Sequence, residues 1–159
     1  MITSVKLDNF LSHRHTELTF DNGVTVFIGG NGAGKSSIID AMTFALFGET
    51  TRGKNEEIIR DGENQAATQI YFEVNGKKYQ AVKKILKNNS PHQLLDSNSS
   101  PIAIGTGKVS EEIKKIIGLD YETLGIASIV PQGELSGIIQ SSNRKSTRLN
   151  SSHTSISYA

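Results

Sequence analysis

The sequence predicts an α/β fold, in which a strand, a glycine-rich loop and a helix are followed by a mostly antiparallel β block. The first observation is the apolar run Val24–Ile28, which gives way to four glycines, Lys35 and two serines. The second is the helical spacing of apolar residues after Ser36. The third is a pair of alternating segments joined by Asn75-Gly76, a strong hairpin signal.

Length and composition are those of one globular domain. The 159 residues are 36% hydrophobic and 21% charged, and the chain is long enough to bury a core. No apolar run approaches the roughly 20 residues of a membrane helix, and no secretory leader precedes "ITSVKL". The absence of cysteine excludes disulfides and thiolate metal sites. We therefore expect a cytoplasmic protein with no membrane partner.

The last residues of the chain differ from the rest. The segment "SSNRKSTRLNSSHTSISYA" is rich in Ser, Thr and Asn, and its run from Arg144 resembles the translation of a common sequencing adapter. Without residues 144–159 the chain has 14 basic and 16 acidic residues, a net charge of −2, so its body has no basic excess that would indicate nucleic acid. We expect one folded lobe over residues 1–142 and a non-native, disordered tail over residues 143–159.

In the first half of the chain, apolar and polar residues alternate in two segments that precede a segment with helical spacing. "ITSVKLDNF" and "HTELTF" are predicted strands, joined around Ser12–Arg14. The continuous apolar run Val24–Ile28 is predicted to be a strand buried on both faces. A helix is predicted over Ser36–Phe47 and ends at Gly48, with Ile39, Met42 and Leu46 on one face and Ile38, Ala41 and Ala45 on its flank.

The second half reads as a β block followed by helices. After a short helix at Glu56–Arg60, "ATQIYFEV" and "KKYQAVKKIL" form the Asn75-Gly76 hairpin. Residues 87–101 are loop-like, with a strand at Gln93–Leu95. "GKVSEEIKKIIG" is a predicted helix, with Ser110 as its N-cap and Gly118 past its end. Residues 121–127 are predicted to be helical, and "SIVPQGEL" is predicted to be a strand that runs into a turn.

The glycine loop predicts a nucleoside-triphosphate site. "GGNGAGKS" matches G-x-x-x-x-G-K-[ST], and it lies between a strand and a helix, which is the context that this motif requires. Glycines allow successive backbone N–H groups to turn toward phosphate oxygens, and the helix N-terminus adds a positive dipole end. Lys35 supplies a point charge for the β- and γ-phosphates, and the Ser36 hydroxyl can ligate Mg²⁺.

Several segments together resemble one family of P-loop ATPases. "LDNFLSHRHTELTF" is similar to the N-F-x-S-H opening of SMC-like ATPases, "GGNGAGKSSIIDAMTFALFG" resembles their loop and first helix, and "IVPQGEL" resembles their Q-loop. With "TRGKNEEIIRDGENQAATQIYFEVNGKKYQAVKKI", the resemblance covers nearly all of residues 1–140. It is closest to the N-terminal lobe of archaeal-type DNA double-strand-break repair ATPases, relatives of bacterial SbcC. The implied fold is the N-terminal lobe of an ABC-type ATPase, with a mixed sheet around the loop helix and an antiparallel β block.

The resemblance also implies site residues. The nucleotide-binding set carried over by position is Gly30, Asn31, Gly32, Ala33, Gly34, Lys35, Ser36, Ser37, Ile59, Arg60, Asp61 and Gln132. Ser36 and Gln132 would contact Mg²⁺. Family members often have an arginine where this chain has Leu11, so Ser12, His13 and Arg14 are weaker candidates for that contact.

Two elements that hydrolysis requires are missing from the sequence. No apolar run ends in Asp-Glu, the Walker B pattern, and "LSG" at Leu135–Gly137 lacks the second glycine of the ABC signature. In the resembling family both lie in a C-terminal lobe, beyond a long coiled coil that would begin near residue 142. The resemblance therefore implies half an active site, which is completed by that lobe.

The resemblance implies MgATP binding, ATP-bridged homodimeric heads, a break-repair nuclease partner and DNA. Two alternatives remain open at this level. A transporter-type ABC ATPase shares the loop and the Q-loop, but it lacks N-F-L-S-H and continues without a coiled coil. A non-hydrolysing nucleotide-binding or docking module would bind MgATP without turnover.

Overall fold

The computed structural model describes residues 1–50, 55–86 and 89–127. The chain divides into two units, Met1–Tyr121 and Glu122–Ala159, and only residues 122–127 of the second are described. The strands are β1 (Ile2–Phe10), β2 (His13–Thr19), β3 (Gln65–Val74), β4 (Lys77–Leu86), β5 (His92–Asp96) and β6 (Pro101–Ile104). The helices are α1 (Lys35–Phe47), α2 (Thr106–Ile117) and α3 (Tyr121–Ala127), with a 3-10 helix at Asn55–Ile58.

The six strands form one sheet in the order β2-β1-β3-β4-β5-β6, and every neighbouring pair is antiparallel. The β3–β4 hairpin turns at Asn75-Gly76, where both residues have positive φ (51° and 76°), as a two-residue turn requires. The predicted antiparallel block is thus confirmed. The predicted first pair of strands is confirmed too, but its turn is at residues 11–12, so His13 and Arg14 of the predicted junction already belong to β2.

The core lies where α1 packs against one face of the sheet. It combines β1, α1, the 3-10 helix and the β3–β4 hairpin through Val5, Leu7, Phe10, Ile38, Ala41, Phe44, Ile58, Ala66 and Ile85. The ring centroids of Phe10 and Phe44 are 6.1 Å apart. The helix was correctly predicted, but its most buried residues are Ala41, Phe44 and Ala45, whereas Ile39 and Met42 are only partly covered. The difference arises because the bulky Phe44 faces the sheet.

The predicted strand Val24–Ile28 is wrong for the described part of the chain. These residues have no strand or bridge assignment, and Val24 and Ile28 are 93% and 92% exposed. A strand needs a neighbour for its backbone N–H and C=O groups, and no strand among the described residues pairs with this run. Of this run only Phe27 is partly covered, and its ring forms a T-shaped pair with Phe20 at a centroid distance of 6.3 Å.

Three further boundaries differ from the prediction. The expected loop ends one residue early, because Pro101 already begins β6, a strand that was not predicted. Strand β6 lies on the edge of the sheet, where proline is tolerated. Helix α2 begins at Thr106 after Gly105, and Ser110 is not its N-cap: the Ser110 hydroxyl donates to Phe47 O at 2.9 Å. The expected helix at Glu56–Arg60 is the shorter 3-10 helix.

A buried polar cluster lies at the C-terminal end of α1. The His92 ring is 1% exposed, and its Nε2 donates to Ala45 O at 2.8 Å, while Nδ1 has no hydrogen-bond partner. Lys83 is 3% exposed, donates to Thr106 Oγ1 at 2.8 Å and lies 5.6 Å from the Phe44 ring centroid. Burial lowers the pKa of Lys83, and burial together with nearby Lys83 lowers the pKa of His92 to about 4, against the opposing hydrogen bond to Ala45.

Some predicted features lie outside the described residues. They are the strand and turn at Ser128–Leu135, including Gln132, and the whole of the predicted tail. Among the helices that the structure describes, none has the length and apolar character needed to cross a membrane.

Candidate functional site at the glycine loop

The glycine loop leads directly into the first turn of α1. The helix begins at Lys35, with Gly34 before it at φ 86°, and the first intrahelical bond is from Ile38 N to Gly34 O at 3.3 Å. No side chain caps this end of the helix, and no acidic residue occupies its first turn. The N–H groups of the first turn therefore point out of the helix with the positive end of its dipole, which is the arrangement that binds anions.

The Lys35 side chain folds back over the loop. Its Nζ donates to Gly29 O at 2.8 Å and to Gly30 O at 2.7 Å, and Ala33 N donates to Gly30 O at 3.3 Å. An ammonium group has three donors and moves freely on its stem, so a phosphate oxygen can replace a carbonyl as its acceptor. The loop and the cation thus lie together at the helix N-terminus.

The two serines after Lys35 have different environments. Ser36 is exposed, so its hydroxyl is accessible to a hard cation that prefers oxygen ligands. Ser37 is 5% exposed, so its side chain belongs to the core side of α1 and only its backbone N–H can serve a phosphate. Within residues 1–50, 55–86 and 89–127, no three His, Cys, Asp or Glu residues are placed to hold a metal ion.

The turn between β1 and β2 packs against the loop. His13 Nε2 lies 3.1 Å from Gly34 O, and His13 Nδ1 lies 2.9 Å from Thr16 Oγ1. A Cβ on Gly34 would lie 2.7 Å from both His13 Nε2 and Ser12 Oγ. Ser12 and His13, the weaker candidates from the sequence, are therefore in contact with the loop.

The segment after the 3-10 helix holds this turn from its other side. Ile59 bridges to Phe10, Arg60 N donates to Asn9 O at 2.9 Å, and Arg60 Nη1 donates to Ser12 O at 2.6 Å. Leu11 has φ 49° and donates its N–H to Ile58 O at 2.9 Å. The structure therefore brings residues 58–60, the β1–β2 turn and Gly34 together, whereas Asp61 is exposed.

Thr16 is the residue near the loop that sequence reasoning missed. Its contribution is indirect, through the His13 ring, and the only sequence signal is a hydroxyl three residues after a histidine at the start of a strand. His15, one position before it, is bonded instead to Asp8 Oδ1 at 2.6 Å, away from the loop.

A family model described as an AAA domain matches residues 4–155. The chain is 40% identical over 139 residues to the "DNA double-strand break repair Rad50 ATPase" of Saccharolobus solfataricus, a match that covers 87% of this chain and 16% of that protein. The chain therefore spans about a sixth of this curated relative.

Two solved structures share the fold. The SMC head domain from Thermotoga maritima matches with a TM-score of 0.60 and 25% identity, covering 87% of this chain and 50% of that one. The recombination mediator RecF, in a structure with ATP, matches with a TM-score of 0.61 and 21% identity, over 69% of this chain and 29% of that one. These neighbours confirm the expected ABC-type α/β lobe, and the curated relative confirms the resemblance to the break-repair ATPases. The expected mixed sheet around α1 is not seen among the described residues, whose sheet is wholly antiparallel because the run Val24–Ile28 pairs with none of its strands.

Proposed function

The chain belongs to the AAA-domain family, and we propose that it binds MgATP through residues 30–37 as part of an ABC-type ATPase that acts in DNA double-strand-break repair. The observation that carries this proposal is the loop at the uncapped N-terminus of α1, with Lys35 folded over it. Backbone N–H groups, a helix dipole and a mobile ammonium act on the same volume, and all three favour a polyphosphate.

We assign the metal and the remaining contacts as part of the same proposal. The Ser36 hydroxyl would ligate Mg²⁺ together with phosphate oxygens, and Gln132, outside the described residues, would be the second protein contact. When bound, Mg²⁺ neutralises charge on the phosphates. Ile59, Arg60 and Asp61 would approach the nucleotide from the side of the β1–β2 turn.

ATP hydrolysis is proposed for the full-length protein, because this chain spans about a sixth of the relative named as an ATPase. The C-terminal lobe would supply the Walker B carboxylate and the signature motif. ATP would join two such heads as a homodimer and shift the population of closed heads, which would regulate a nuclease partner and access to DNA. The place of action would be the cytoplasm, on DNA.

The exposed run Val24–Ile28 supports a missing lobe as partner. Val24, Val26 and Ile28 are every second residue of the run and are 93%, 71% and 92% exposed, whereas Phe27 between them is partly covered. Such a two-residue period suits a strand at the edge of a sheet. A strand of the C-terminal lobe would pair with this run and cover its apolar side chains.

The proposed phosphate site is tested by isothermal titration calorimetry of the chain with MgATP. Lys35→Ala is expected to abolish measurable binding, because it removes the cation that faces the β- and γ-phosphates. Lys77→Ala is the matched control, since Lys77 is an exposed lysine in β4 and far along the chain from the loop. Equal affinity of the wild type and Lys35→Ala would show that the phosphates are bound elsewhere.

A further inference from the structure

The His13 ring joins two polar groups, and its tautomer follows from them. Gly34 O can only accept a hydrogen bond, so His13 Nε2, 3.1 Å away, carries a proton. In the neutral ring Nδ1 is then an acceptor, and the Thr16 hydroxyl at 2.9 Å donates to it. Thr16 thereby favours the ring state in which Nε2 donates to the loop.

The carbonyl that His13 holds belongs to the peptide that begins α1. Gly34 O also accepts the N–H of Ile38 at 3.3 Å, a long bond for the first turn of a helix. Because a trans peptide is planar, the Gly34 C=O and the Lys35 N–H point in opposite directions. A bond that fixes this carbonyl therefore also aims the Lys35 N–H out of the helix end, toward the proposed phosphate position.

The close approach of the turn depends on the glycine at position 34. This residue has φ 86°, and a Cβ there would lie 2.7 Å from His13 Nε2 and from Ser12 Oγ. The second glycine of the motif thus makes room for the β1–β2 turn in addition to any ligand. The turn itself is fixed from behind by Arg60, whose Nη1 donates to Ser12 O at 2.6 Å.

We propose that His13 is a positioning residue of the phosphate loop: its Nε2–H, held by Thr16, fixes the Gly34 carbonyl and so directs the Lys35 N–H at the bound polyphosphate. This inference rests on the MgATP site proposed above. His13 touches the loop and not the nucleotide in this assignment, so its substitution weakens the orientation of one N–H donor and leaves the cation and the metal ligand in place.

The test compares two amides in the 159-residue chain. The side-chain nitrogen of His13→Gln reaches the place of Nε2, whereas the shorter His13→Asn reaches only that of Nδ1. His13→Asn is expected to raise the Kd for MgATP about tenfold, the effect of losing one well-aimed hydrogen bond to a charged group. His13→Gln is expected to stay within about twofold of the wild type, because it restores the donor.

A spectroscopic readout follows the orientation itself. In ¹⁵N–¹H spectra, addition of MgATP is expected to shift the Lys35 amide resonance in the wild type and in His13→Gln, and to shift it less in His13→Asn. His15→Asn is the matched control, because His15 is exposed and bonded to Asp8. It should behave as the wild type does.

The outcomes separate this role from the site on which it depends. If Lys35→Ala binds MgATP as tightly as the wild type, the phosphate site is wrong and the role of His13 falls with it. If Lys35→Ala loses binding while His13→Asn keeps the wild-type Kd, only the His13 proposal is overturned. It is also overturned if Gln and Asn weaken binding equally, since the loss would then follow the ring's packing and not its donor.

Discussion

At the scale of single residues, the buried cluster at the end of α1 accommodates the charge of the Lys83 ammonium but not a charge on the His92 ring. Lys83 has the Thr106 hydroxyl, the Ser90 carbonyl and the Phe44 ring face around its ammonium. His92 has one hydrogen bond through Nε2 and an unpaired Nδ1, so a proton added there would be buried without an acceptor beside Lys83. The cluster is therefore stable only while the His92 ring is neutral.

The unfolding free energy should consequently fall in mild acid. The pKa of His92 is about 4 in the folded chain and near 6.5 when unfolded, so the unfolded state binds the proton first. Stability is complete above about pH 6.5 and is lost as the pH falls toward 4, by up to about 3 kcal/mol from this group. Urea unfolding at pH 7.5, 5.5 and 4.5 measures this loss.

The matched variants for this prediction are His92→Gln and His15→Gln. His92→Gln keeps a donor for Ala45 O and cannot titrate, so its stability should change less between pH 7.5 and 4.5 than that of the wild type. His15→Gln alters an exposed ring and should leave the wild-type dependence intact. An unchanged pH dependence in His92→Gln would assign the acid loss to other groups.

The residue scale also shows what sequence could not supply. The loop residues could be predicted from the sequence, because the motif G-x-x-x-x-G-K-S is typical of a loop with a known backbone geometry. The contact between His13 and Gly34 spans 21 positions, and the bond from Ser110 to Phe47 spans 63. Neither pairing leaves a local pattern, so His13 could be proposed only weakly and Ser110 was wrongly assigned as a cap.

At the scale of elements, two helices end in the same way but in different surroundings. Gly48 after α1 and Gly118 after α2 have φ 71° and 80°, and each donates its N–H to the carbonyl four residues earlier. A Cβ on Gly48 would lie 2.5 Å from Thr106 Cγ2 and 3.2 Å from His92 Nδ1, whereas a Cβ on Gly118 would meet nothing within 4 Å. A substitution at Gly118 therefore tests backbone strain alone, whereas one at Gly48 tests backbone strain together with steric crowding.

Gly118→Ala is expected to cost about 1 kcal/mol, the strain of a left-handed alanine. Gly48→Ala is expected to cost about 3 kcal/mol, because the clash with Thr106 adds to the same strain. Thr106→Ser in the Gly48→Ala background should recover much of the difference, since serine lacks Cγ2 and keeps the hydroxyl that Lys83 uses. Thermal or urea unfolding of the wild type and these three variants gives these values. Equal costs at the two glycines would contradict the packing at Gly48.

The same scale explains which elements the sequence predicted well. The β3–β4 hairpin and the end of α1 are set by Asn75-Gly76 and Gly48, residues whose backbone preferences are local. Strand β6 has only four residues and begins with a proline, so neither alternation nor β-propensity marks it. Its existence depends on pairing with β5, which is a tertiary contact.

At the scale of the whole molecule, the run Val24–Ile28 shows the limit of reasoning from one sequence. An apolar, β-branched run predicts that its side chains are buried, but it does not identify the segment that covers them. The described sheet ends at β2 and β6, and neither edge receives this run. No described segment buries this run, and its cover by a missing lobe stays the proposal made above for a chain that spans about a sixth of its curated relative.

The isolated chain should consequently self-associate through this run. The double variant Val24→Thr, Ile28→Thr keeps β-branched side chains and lowers their apolar area, so it should weaken concentration-dependent association in sedimentation velocity. Its unfolding free energy should stay within about 0.5 kcal/mol of the wild type, because both side chains are exposed. The control is Ile102→Thr, Ile104→Thr, whose residues are 41% and 56% exposed on the opposite edge strand β6. If only this control reduces association, the contact lies at β6, and Val24–Ile28 is not the surface that the missing lobe would cover.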